Sequence, residues 1–277
     1  MQRWCQDGAV SAFSDTLRAW RAKRRLSQLE LALRAGTTQR HVSFLESGRS
    51  IPGRGMVVRV AESLELPLRD RNALLLAAGY APGYPETALD SPRLRPVLDS
   101  LRRLLDGHLP YPAIVIDRFG DLVAANDAVT LLFEDAAPEL LDPPVNVPRL
   151  ALHPQGMAPR IANFDEWAQH VLDGLRLANE RSPHERRAAL LAELEGYVPP
   201  PPEPGADHLG FAVPMRLRTR LGELSLTTAI TTFTTAVDVT ISELRLETFL
   251  PGDEVTAKAF TAGLREDPVS GRGGHRR

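Results

Sequence analysis

Gln39, Arg40 and Ser43, with Phe44 as a further candidate, fall at the outward positions of one short helical stretch, and the three polar types suit hydrogen bonding to bases rather than bond-making chemistry. Glutamine can pair with adenine through two hydrogen bonds and arginine with guanine, and an α-helix fits the major groove with its first turns against the base edges. Phe44 has two readings: it can press on a thymine methyl or pack on its own domain. Thr38 stands at the start of the same stretch, where backbone amides point outward. Those amides, together with Gln28, Arg49 and neighbouring arginines, suit phosphate oxygens.

The residue types that would carry other chemistry are scattered. The histidines (His41, His108, His153, His170, His184, His208 and His275) show no metal-ligand spacing with one another, with the one cysteine, Cys5, or with clustered carboxylates. No glycine-flanked nucleophilic serine and no phosphate-cradling glycine loop occurs. The threonine run Thr227, Thr228, Thr231, Thr232, Thr234 and Thr235 reads as the solvated face of a sheet, because threonine favours strands. The expectation is therefore a protein that is not an enzyme and holds neither a metal nor a cofactor.

The elements that must position Gln39 and Arg40 are legible from punctuation. Ser27-Gln28-Leu29-Glu30 is a capping box that opens one helix, and Gly36 ends it in the left-handed region glycine tolerates. Thr37 or Thr38 caps the next helix, which runs to about Glu46 with Val42 and Leu45 facing inward. A first helix carries Phe13, Leu17 and Trp20, and two more follow over Arg54–Leu64 and Leu68–Ala78. Residues 1–12 are expected to lack order.

Ala81-Pro82-Gly83-Tyr84-Pro85 is rich in helix breakers and marks a boundary. An amphipathic helix over 91–106 follows, with Leu94, Val97, Leu98, Leu101 and Leu105 on one face. The character then changes. Ala113–Asp117 and Asp121–Ala125 read as paired strands, and Asn126 as a helix cap. Residues 134–164 are proline-rich and irregular. Phe164–Asn179 forms a helix, and Ser182-Pro183-His184-Glu185 is a second capping box. Phe211–Phe233 is mostly strand with a turn at Gly222, and Val237–Leu250 is a further strand region with Leu244, Leu246 and Thr248 alternating. The fold class is α+β, divided as 13–80, a linker and connecting helix over 81–106, a second domain over 107–262 and a disordered tail over 263–277.

Composition fits this picture. The chain has 277 residues with 43% hydrophobic and 25% charged side chains, enough for two domains with real cores. No apolar run reaches membrane-spanning length, and the first residues lack a basic start followed by an apolar stretch, so the cytoplasm is the expected location. The net charge of −2 hides an asymmetry: between Phe13 and Tyr80 stand twelve basic side chains against six acidic ones. A basic module joined to an acidic remainder points to a polyanion as partner for the first domain.

The elements Ser27-Gln28-x-Glu30-Leu31-Ala32, Gly36-Thr37-Thr38-Gln39, Val42-Ser43-x-Leu45-Glu46-x-Gly48-Arg49 and Pro52 resemble the XRE-type helix-turn-helix domain of lambda-type phage repressors over residues 13–80. The resemblance implies a five-helix DNA-binding domain in which Gln28 and Arg49 touch phosphates while Gln39, Arg40 and Ser43 face bases. It also implies an internal ion pair between Arg21 and Glu46. Residues 107–262 resemble the ligand-binding domain of MmyB-like regulators, a PAS-like antiparallel sheet with flanking helices. The resemblance rests on Pro112–Asp117, Ala124–Ala128, Asn163–Trp167, Thr232–Thr240 and Leu244–Asp253. It implies a cavity for a small apolar molecule such as a fatty acid. The residues themselves support an apolar pocket or an ordinary core, built on Phe119, Phe133, Trp167, Phe211 and Phe233, with Arg176 available for a ligand carboxylate.

These expectations combine into a sequence-specific transcription regulator whose second domain senses a small ligand. The alternative is a second domain that only dimerises or recruits a protein partner. One recognition helix reads few base pairs, so a homodimer on a near-palindromic double-stranded operator is expected.

Overall fold

The structure is a computed structural model that describes the backbone of residues 2–200 and 213–266 and the side chains of residues 11–200 and 213–262. The chain divides into two compact units. One comprises the residues up to Ser91 together with Thr234–Ser242, and the other runs from Pro92 to Phe233 and resumes at Glu243.

The first unit holds helices α1 (Gln2–Lys23), α2 (Gln28–Arg34), α3 (Gln39–Glu46), α4 (Arg54–Ser63) and α5 (Leu68–Ala77). Helix α1 begins at Gln2, so the order expected only from Phe13 extends back to that residue. Phe13, Leu17, Leu31, Val42, Leu45 and Leu74 are fully buried at its centre. The Ser27–Glu30 capping box forms in full, and Thr38, not Thr37, caps α3 by accepting from His41 N at 3.2 Å. Gly36 lies between them at φ +60°, where a side chain would be strained.

After α5 the chain folds back along it. Asn72 accepts from the amides of Gly83 and Tyr84 at 2.9 and 3.0 Å and donates to Tyr84 O at 2.7 Å. The same unit includes a short helix from much later in the chain, α10 (Val239–Ser242), within a region expected to be strand. Asp238 caps it by accepting from Thr240 N, and Asp238 also accepts from Thr87 Oγ1 at 2.6 Å, while Val239 N donates to Pro85 O at 2.8 Å. Capping by aspartate and burial of Val239 and Ile241 favour a helical turn over continued strand pairing.

The second unit is built on a five-stranded antiparallel sheet in the order β2-β1-β5-β4-β3. The strands are β1 (Ala113–Ile116), β2 (Leu122–Ala125), β3 (Met215–Thr219), β4 (Gly222–Thr232) and β5 (Arg245–Pro251). Gly120 turns β1 into β2 at φ +84°, and a Cβ there would meet Pro148 Cδ at 2.7 Å. Helices α6 (Arg95–Asp106), α7 (Val147–Leu152), α8 (Phe164–Arg181), α9 (Glu185–Glu195) and α11 (Glu254–Glu266) surround the sheet. Helix α11 continues to Glu266, past the point where a disordered tail was expected.

Two capping expectations are corrected. Asn126 does not cap a helix. It is buried, accepts from Ala113 N at 3.1 Å and donates to Leu105 O and Tyr111 O, each at 3.0 Å. Satisfying three otherwise stranded backbone groups outweighs one cap bond. At α9 the cap is His184, whose Nδ1 accepts from Arg186 N at 3.2 Å, in place of Ser182. Arg187 bends back to donate to Ser182 O at 2.6 Å, which places Ser182 before the helix.

Candidate nucleic-acid interface and ligand cavity

Helix α3 is held against α1 and α2 by a charged network around Glu46, which is only 3% exposed. Arg21 donates to Glu46 Oε1 from Nε at 2.6 Å and to Oε2 from Nη2 at 3.0 Å, and Gln28 Nε2 donates to Oε2 at 2.8 Å. Arg18 also donates to Glu46 O, and Ser14 Oγ to Leu45 O at 2.7 Å. Burial alone would raise the Glu46 carboxyl. The bonds from Arg21 and Gln28, with the charges of Arg21 and Arg18, more than offset it, and the group is held below the usual carboxylate range.

With its inner side fixed in this way, α3 presents Thr38, Gln39 and Arg40 to solvent, with Ser43 and Phe44 half-buried one turn on. The Arg40 guanidinium lies 5.2 Å from the Phe44 ring centre, so Phe44 is partly covered by a cation. Arg49 is exposed just after the helix. Gln28 has a structural partner in Glu46 in addition to any it could meet outside. The geometry gives a helix start that exposes Gln39 and Arg40 beside the capping Thr38, a surface that can read and hold a polyanion.

In the second unit, β-strand alternation sends Ile114, Ile116, Met215, Thr228, Ile230 and Phe249 to one face of the sheet. Helix α8 lies over that face. Its acidic first turn, Asp165 and Glu166, suits a helix start, and Trp167, Ala168 and Leu172 are buried. Asn163, just before it, ties α8 to β3 by donating to Pro214 O and accepting from Arg216 N, each at 2.9 Å. Between helix and sheet lies a cavity of about 260 Å³. Phe133 and Trp167 form part of its wall, as do Val171, Leu175 and Met157.

Two charged residues on β5, Arg245 and Glu247, also line the cavity, together with His170 of α8. Burial pushes the Glu247 carboxyl up, and the charge of Arg245 moderates that rise. The wall on the Phe133 side is held by Arg160, which donates to Leu131 O at 2.9 Å, Leu132 O at 3.1 Å and Glu134 O, and to Arg218 O at 3.0 Å.

Not every residue expected at the cavity is there. Phe119 lines a separate hollow of about 170 Å³ with Arg149, Arg186 and Arg187, and its ring packs on His184 at 4.7 Å. Arg176 is committed to Glu195 at 2.7 Å and Asp173 at 2.9 Å, on the α9 side of α8. Phe233 follows the end of β4 and is not part of the cavity wall. Phe211 lies outside the described residues. Arg245 and Glu247 were missed because Leu244, Leu246 and Thr248 suggested the inward positions of β5. Leu246 and Thr248 are indeed buried, but on the opposite face, and both faces of this central strand are covered.

A basic helix-turn-helix surface and an apolar cavity under an antiparallel sheet define a DNA-binding regulator with a ligand-binding domain. Residues 97–262 match the model of the MmyB-like transcription regulator ligand binding domain, and residues 17–70 match that of a helix-turn-helix. The chain belongs to the MmyB-like transcription regulators. It is similar to the "Uncharacterized HTH-type transcriptional regulator y4dL" of Sinorhizobium fredii (strain NBRC 101917 / NGR234), 46% identical over 52 residues. That match spans 19% of this chain and 26% of the relative, about a quarter of its length. Among solved structures, an RNA-binding light-oxygen-voltage receptor aligns over 92% of this chain and 64% of its own, at 15% identity and a TM-score of 0.25. Among the described residues no helix is long and apolar enough to cross a membrane, and no cluster of His, Cys, Asp and Glu is placed to hold a metal.

Proposed function

We propose that this protein binds a specific double-stranded operator through α3 and changes its affinity for that site when a small, largely apolar molecule, such as a fatty acid, enters the second unit. The observation that carries the ligand is the cavity of about 260 Å³ between α8 and the sheet, walled by aliphatic and aromatic side chains. Gln39, Arg40 and Ser43 read bases, Phe44 contacts a thymine methyl, and Thr38, Gln28 and Arg49 hold phosphates. The protein acts in the cytoplasm as a homodimer, so its operator is near-palindromic with half-sites about one helical turn apart. Its role is regulation without catalysis. Ligand binding shifts the population between forms of differing operator affinity, by as much as its own preference for one of them.

Native mass spectrometry of the full chain, followed by denaturing extraction, tests the sensor reading. The expected result is a dimer from which a small amphiphile is released. A chain that releases nothing, and whose melting temperature is unmoved by decanoate, 3-hydroxydecanoate or 1-decanol, would sink it.

A further inference from the structure

Arg245 and Glu247 stand two residues apart on β5, so their side chains leave the same face of the sheet, and both line the cavity. Their strand neighbours on that face are Ile116 and Thr232 opposite Arg245 and the aliphatic pair Ile114 and Ile230 opposite Glu247. Among the described residues the side chains of Arg245 and Glu247 make no hydrogen bond and no close ion pair, although the charge of Arg245 is felt at Glu247. A largely apolar wall that carries two partly buried charged side chains without hydrogen-bond partners offers a bound molecule two polar groups of opposite sign to match.

The two ends of the pair differ. Arg245 adds to a positive field that it shares with Arg118 and Arg187, which lowers the Arg187 guanidinium after burial has already done so. Arg187 is buried and donates to the carbonyls of Ala178, Ser182 and Arg118, so it brings no carboxylate to that end. Two carboxylates oppose that field at Arg187, but both are engaged: Glu243 with Arg118 at 3.1 Å, and Asp117 with the amides of Phe119 and Asp121 at 2.8 and 2.9 Å. An anion is therefore favoured beside Arg245. One strand step further in, Glu247 repels a second anion and accepts from a donor. Beyond it the wall is Phe249, Met215 and Trp167, which suit hydrocarbon.

We propose that the cavity takes an amphiphilic acid whose carboxylate meets Arg245 and whose hydroxyl or amide N–H, a few bonds along the chain, donates to Glu247, with the hydrocarbon tail against Phe249 and Trp167. The class is that of 3-hydroxy fatty acids and N-acyl amino acids, as distinct from plain fatty acids. This rests on the ligand-sensing reading above and specifies its head group. The discrimination follows from the general rule that a site built to hydrogen-bond a group rejects an analogue that lacks it more strongly than an apolar pocket rejects a changed chain length.

The test is calorimetric titration of the full chain with decanoate, 3-hydroxydecanoate and 3-methoxydecanoate. The hydroxy acid should bind about tenfold or more tightly than the other two, since the methyl ether keeps the oxygen but has no proton to donate. In Glu247→Leu the preference should fall below about twofold, and in Arg245→Gln all three acids should weaken together. Equal binding of decanoate and 3-hydroxydecanoate by the unaltered chain overturns the proposal, as expected if a protonated Glu247 donates to the carboxylate instead. It leaves the sensor reading standing. Binding of none of the three, nor of 1-decanol, overturns both. Should Glu247→Leu fail to fold, the comparison of hydroxy acid with methyl ether decides alone.

Discussion

Arg21 grips Glu46 through two separate nitrogens, at 2.6 and 3.0 Å, across 25 residues of sequence. The carboxylate is buried while the guanidinium is partly exposed, so removing the arginine strands a buried charge. Arg21→Ala should cost about 2–4 kcal/mol, towards the lower part of the range for breaking buried pairs because Gln28 remains as a donor. Paired with Glu46→Gln in a double-mutant cycle, the coupling should exceed about 1 kcal/mol by urea unfolding, and additive losses would show that the contact carries no energy.

The same carboxylate sets an acid limb. Glu46 is held below its ordinary value in the folded state, so its contribution is full above the unfolded pKa of about 4.3 and is lost as the pH falls through the lower folded value. Unfolding of the helical unit should therefore become easier as pH falls from about 4.5, and Glu46→Gln should flatten that dependence while lowering stability at neutral pH. An acid limb of unchanged slope in the variant would place the responsible carboxylate elsewhere.

Gln39 and Arg40 are both exposed, and neither carries the packing of α3. The double substitution Gln39→Ala, Arg40→Ala should remove discrimination between the operator and unrelated duplex, by about 100-fold or more for two base contacts. The melting temperature should move by no more than a degree or two. Footprinting that shows the parent's sequence preference intact would refute the placement of the recognition helix.

Gly174 sits in the interior of α8, lines the cavity, and has open space where a Cβ would project. A mid-helix glycine costs about 1 kcal/mol relative to alanine, so Gly174→Ala should raise the melting temperature. Gly174→Trp should fill the cavity and weaken binding of 3-hydroxydecanoate more than tenfold without loss of fold. Unimpaired binding in that variant would move the ligand away from the α8 side.

The helix-turn-helix was legible almost residue by residue, because its signals are local: the Ser27–Glu30 box, the positive-φ glycine at 36 and the Thr38 cap each act within a few residues. The Arg21–Glu46 pair is long-range, and it was anticipated through the family resemblance. The cavity was half legible. Phe133 and Trp167 were identified by size and spacing, but Arg176 was expected inside because nothing in its own helix shows that Glu195 of α9 would claim it. The polar pair on β5 was hidden by a strand covered on both faces, where alternation no longer says which side is the core. Asn126 illustrates the same limit: its partners, at positions 105, 111 and 113, are set by how the chain folds back, and a cap-forming residue type gives no hint of them.

The helical unit is finished by a segment translated long after its own core. Phe13 to Leu75 can collapse as soon as they leave the ribosome, yet Val239, whose amide meets Pro85, and Asp238, which meets Thr87, arrive only after most of the sheet-bearing unit has been made. Domains emerging from the ribosome ordinarily fold in order from the N-terminus. Here the last stitches of the first unit wait for residue 242. A nascent chain stalled before that point would hold a helix-turn-helix without its closing turn, so the fully assembled regulator comes into being only once its ligand-binding domain has almost been synthesised.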